Sequence, residues 1–114
     1  MTRDEVGKAY ARAAAAHGAA MDRGDHKKSN AAYDALMSAL ALLRESSDQG
    51  RSTLTGLLED EDTHVRCAAA THLLPLDEDA ATRALEALVS EPPFVGFNAK
   101  MVLREWKAGR LRVP

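Results

Sequence analysis

A chain of 114 residues has the size of one domain, enough to bury a core but not to hold a second folded unit beside it. Hydrophobic residues make up 46% and charged residues 28%, a composition that excludes both a disordered polymer and a membrane-embedded one. The net charge of −2 conceals an asymmetry: residues 1–44 carry +2, residues 45–91 carry −8 and residues 92–114 carry +4. An acidic middle repels phosphate, which argues against a nucleic-acid role unless the two basic segments converge on one face.

Thr2 followed by Glu5 forms a capping-box pattern, after which Val6, Ala9, Tyr10, Ala13, His17, Ala20 and Met21 recur at three- and four-residue steps up to Gly24. This predicts a first helix closed by a glycine cap. Asp25 can cap a second, whose stripe of Tyr33, Leu36, Met37, Leu40 and Leu43 runs to Arg44. The cluster ESSDQG interrupts the pattern, and Ser47 or Asp48 can start a third helix through Leu54, Leu57 and Leu58. Asp62 is the expected cap of a fourth, with Val65, Ala68, Ala69, His72 and Leu73 inward and a stop near Pro75. Asp77 opens a fifth that buries Ala81, Ala84, Leu85 and Leu88 and ends at Pro92 and Pro93. The sixth runs from about Phe94, buries Val95, Ala99, Val102, Leu103 and Trp106, and ends at Gly109. The tail RLRVP is too short for another helix and is expected to fold back through Leu111 and Val113.

Six helices with short connections and no alternating strand pattern predict an all-α single domain spanning 1–114, built from three antiparallel helical hairpins in a row. A shift of 30 residues pairs Leu58 with Leu88, Val65 with Val95, Ala69 with Ala99 and Leu73 with Leu103, although Arg66 then falls on Gly96. That internal similarity favours a stacked, right-handed solenoid, with a plain six-helix bundle as the alternative.

The stretch LLEDEDTHVRCAAATHL, with Leu57, Leu58, Asp60, Val65, Arg66, Ala68, Ala69 and Leu73, resembles a HEAT-like repeat of the short bacterial type. GDHKKSNAAYD and VLREWKAG resemble, over the whole chain, the uncharacterised bacterial domain-of-unknown-function twenty-nineteen family. That resemblance implies a HEAT-like helical fold and brings no reaction with it. The residues of the motif have physical roles of their own. Asp62 caps, the acids before it sit where the helix dipole favours negative charge, and Ala68 and Ala69 permit close helix approach. Arg66 can reach back to Asp60 or Asp62, or across to a carbonyl at the end of an adjacent helix.

The chemistry-bearing residues point away from catalysis. No two of His17, His26, His64 and His72 stand at the i, i+4 spacing of a helical metal pair, so no metal or cofactor is expected. His72 fits a core histidine bonded to a neighbour. Cys67 is the one cysteine, which precludes an internal disulfide and favours a reducing, cytoplasmic setting; in a crowded helix it makes a poor nucleophile. The N-terminus lacks the pattern of a signal peptide, and no run approaches a membrane span. The expected function is therefore a non-enzymatic protein-interaction module, one concrete form being a small inhibitor or immunity-type protein. Asp60, Glu61, Asp77 and Glu78 would steer a basic protein partner. Asn30 and Asp34 would form a polar patch beside Tyr33 and Met37, and Trp106 an anchor. Self-pairing of the basic end with the acidic middle is a further expectation. The alternative is an adaptor or subunit of an enzyme of chromophore-lyase-like or DNA-repair-like HEAT type, as the repeat resemblance implies.

Overall fold

The computed structural model describes residues 2–91 and 94–114, so the stop expected at Pro92 and Pro93 lies outside the described residues. Six helices follow in order: α1 Arg3–Arg23, α2 His26–Leu43, α3 Ser47–Leu57, α4 Thr63–Leu73, α5 Glu78–Leu88 and α6 Phe94–Lys107. Their ends follow from local chemistry. The Thr2 hydroxyl accepts from Glu5 N at 3.2 Å and the Glu5 carboxylate accepts from Thr2 N, closing the capping box of α1. Gly24 at φ 70° ends that helix, with Gly24 N and Asp25 N donating to the carbonyls of Met21 and Ala20. Asp25, Asp62 and Asp77 each accept a backbone N–H in the first turn of α2, α4 and α5. The third helix begins at Ser47 as expected, but its cap residue is Ser46, which makes no side-chain capping bond.

Consecutive helices pack as hairpins, α1 with α2, α3 with α4 and α5 with α6, and α4 also contacts α1, α5 and α6. This central position explains why the apolar residues of α4 do not form one stripe: Val65, Cys67, Ala69, Ala70, His72 and Leu73 are all buried. Ala70 is buried where Ala68 was expected, and Ala68 instead faces a cleft between the helices. The deepest side chains, Tyr10, Leu40, Val65, Leu73, Leu74 and Leu85, come from α1, α2, α4, α5 and the turn after α4, so one core joins the hairpins. Leu111 and Val113 fold back onto it. The body measures 34 × 32 × 25 Å, and no described helix is long and apolar enough to cross a membrane.

The residues matched by the 30-residue shift occupy matching places. Val65 and Val95, Ala69 and Ala99, Leu73 and Leu103 are buried on α4 and α6. The mismatch of Arg66 with Gly96 is resolved by the turns. Arg66 Nη1 donates to the Asp60 carbonyl at 2.6 Å and the Glu61 carbonyl at 3.2 Å. Gly96 N donates to the Glu91 carbonyl at 2.8 Å, and a Cβ there would meet that same oxygen. Glu61 and Glu91 are 30 residues apart, so equivalent carbonyls are satisfied once by a long guanidinium and once by the backbone at closest approach.

Candidate functional site

The acids expected to greet a partner are largely engaged within the chain. Asp60 accepts from Asp62 N at 2.9 Å and Asp62 from His64 N at 2.7 Å, so both carboxylates organise the turn before α4. Arg66 ties that turn through its carbonyls and not through the carboxylates of Asp60 or Asp62; the tie lies within one hairpin. Asp77 caps α5 and lies 3.6 Å from Arg51. Glu78 accepts from Trp106 Nε1, which joins the start of α5 to the end of α6. Trp106 packs against the core and is half-buried, in keeping with its place on the apolar face of α6. Glu61, Asn30 and Asp34 stand exposed.

A more apolar concave feature lies elsewhere, in a cleft of about 400 Å³ between α1 and α2 on one side and α4 and α6 on the other. Its size falls within the range of ligand pockets. On α1 the i, i+4 pair His17 and Met21 faces it, and on α2 Tyr33 and Met37. Asn30 and Asp34 share the exposed side of α2 next to that wall. Across from them α4 contributes His64, Cys67, Ala68 and Thr71, and α6 contributes Phe94, Phe97 and Asn98. Six large hydrophobic residues are exposed among the described residues, and Met21 (51%), Tyr33 (44%), Phe94 (51%) and Phe97 (64%) all line this cleft. Such concentration in one place marks a contact surface rather than scattered exposure.

The mouth and floor differ in chemistry. At the mouth, Gly18 leaves room for the imidazole of His64, which a Cβ would strike, and His64 Nε2 lies 2.8 Å from Asp22 Oδ2. The His17 ring sits 5.7 Å from the Tyr33 ring. Desolvation and the nearby His64 hold the basicity of His17 below the usual histidine range. Behind His72, which lines the cleft, the wholly buried Tyr10 has its hydroxyl 2.6 Å from His72 Nδ1. Burial keeps Tyr10 protonated and lowers His72 to about 4, with the Arg44 charge adding to the second effect. The Tyr10 hydroxyl has no other acceptor among the described residues, so it donates to Nδ1, and neutral His72 then carries its proton on Nε2. Cys67 is buried, its thiol pushed up by desolvation, and accepts from Asn98 Nδ2 at 3.5 Å. Among the described residues no group of three His, Cys, Asp or Glu side chains is placed to hold a metal ion.

Sequence periodicity placed Tyr33, Met37, His17 and Met21 on their helix faces but did not bring the two faces together. Phe94 and Phe97 carried a legible signal, because their three-residue spacing lies off the buried stripe of Val95, Ala99, Val102 and Leu103. The contacts of Gly18 with His64 and of Tyr10 with His72 span 46 and 62 positions, beyond any local pattern.

Fold and cleft together define a small all-α domain, six helices packed as hairpins around an apolar-rimmed groove. By sequence the chain belongs to the family described as Domain of unknown function (DUF2019), whose profile matches residues 4–106. A solved structure, the protein RPA1889 from Rhodopseudomonas palustris CGA009, is similar in fold: TM-score 0.88 at 23% identity, covering 98% of this chain and 93% of that one. No curated protein matches.

Proposed function

We propose that the chain is a non-enzymatic binding module that holds another protein, and that the cleft is where it does so. One observation carries this reading: of the six exposed large hydrophobic side chains among the described residues, four rim a single groove. Aromatic residues and methionine are enriched in protein-protein interfaces, and methionine adapts its shape to varied partners. Exposing Phe97 and Phe94 to water has no role in stabilising the isolated fold. Asn30, Asp34 and Glu61 would supply a polar rim, a smaller part than the acidic turns were expected to play. The groups nearest to catalytic chemistry favour a binding reading. The Cys67 thiol is buried and held neutral, and the Nδ1 of His72 is occupied by Tyr10.

The test compares affinity capture from native cells by the wild-type chain and by Phe97→Ser, with Leu76→Ser as a control away from the cleft. The reading expects a stoichiometric protein partner that Phe97→Ser loses and Leu76→Ser keeps. Capture that survives Phe97→Ser, or no partner at any salt concentration, would count against it.

A further inference from the structure

A second cavity, of about 240 Å³, lies among Leu40, Leu43, Leu54 and Leu76, and the polar side chains on its wall are Arg44 and His72. It shares His72 alone with the cleft, so a ligand held there is independent of the protein-binding reading. Arg44 is exposed, and among the described residues no carboxylate lies within ion-pair distance of its guanidinium and no acceptor bonds it. His72 gives Nδ1 to the Tyr10 hydroxyl, which has no other partner, so its ring proton sits on Nε2. Among the described residues no acceptor takes that proton, and His72 lines this cavity as well as the cleft. A guanidinium without a partner and a neutral N–H donor on the wall of a leucine-lined space match one ligand chemistry. An acid group with an apolar body can place its oxygens on the two donors and its carbons among the leucines. The volume lies below that of pockets for drug-sized molecules, which restricts the body to a short chain or a single ring.

We propose that this cavity binds a small monocarboxylate, its carboxylate on the Arg44 guanidinium with one oxygen accepting from His72 Nε2. The test is titration of benzoate and of hexanoate into the full chain at pH 7 and physiological chloride, followed by nitrogen-15 chemical shifts. Benzyl alcohol serves as the uncharged counterpart. The proposal expects at least one of the two acids to saturate a single site, moving Arg44 Nε, His72 Nε2 and the amides of residues 40–44, 72–74 and 76. Arg44→Gln, a change at an exposed position, should weaken it about tenfold, and benzyl alcohol should bind about tenfold more weakly. Neither acid saturating, shifts spread over Lys100, Arg104 and Lys107, or equal affinity in Arg44→Gln would each overturn it.

Discussion

Gly18 sits in the middle of an alanine-rich helix, where glycine costs about 1 kcal/mol relative to alanine. Its value lies across the chain, because a Cβ there would strike the His64 ring. Gly18→Ala should therefore destabilise the fold by about 1–3 kcal/mol in denaturant unfolding, the strain of overpacking exceeding the gain in helix propensity. Gly56→Ala, at a helical glycine with open space where the Cβ would go, should stabilise by roughly 0.5–1 kcal/mol. Equal effects at the two positions would refute the assignment of Gly18 to the α1–α4 contact. His72 provides a second test at this scale. Its folded value of about 4 lies below the ordinary 6.5, so between those values the unfolded chain binds a proton that the folded chain refuses. Its contribution is complete above pH 6.5 and is lost on acidification toward 4, by on the order of 3 kcal/mol. His17 shifts in the same direction and adds to the loss. Direct titration of the His72 ring by NMR checks this, and a midpoint near 6.5 would contradict it.

Elements were the most legible level of the sequence, because their ends depend on neighbours a few residues apart. Thr2 with Glu5, Gly24, Asp25, Asp62 and Asp77 act where the spacing placed them. The middle of α4 was less legible: a helix surrounded by four others buries residues on every side, so no single stripe reports its orientation. Arg66 shows the same limit. Its type and position announced a tie, but the choice of backbone carbonyls over carboxylates depends on the shape of the turn. Removing the guanidinium with Arg66→Ala leaves the Asp60 and Glu61 carbonyls without it and should cost about 1–2 kcal/mol by chemical denaturation. The double change Asp60→Asn with Asp62→Asn keeps those carbonyls, and an oxygen to accept from Asp62 N and His64 N, and should leave the tie in place. A larger loss in the double change than in Arg66→Ala would return the tie to the carboxylates.

At the scale of the molecule, the cleft is assembled by four helices from residues 14 to 102, and no segment contains it. The sequence drew attention to acids because charge runs are visible in one dimension, whereas the convergence of Met21, Tyr33, Phe94 and Phe97 exists only in three. The structure turns Asp62, Asp77 and Glu78 toward internal bonds and leaves the aromatic rim in water. The measurement that bears most directly on this account is amide hydrogen exchange of the chain alone and with its captured partner. The cleft reading predicts new protection in residues 17–21, 33–37 and 94–98. Protection confined to the acidic turns at 59–62 and 77–79, with the cleft unchanged, would contradict it.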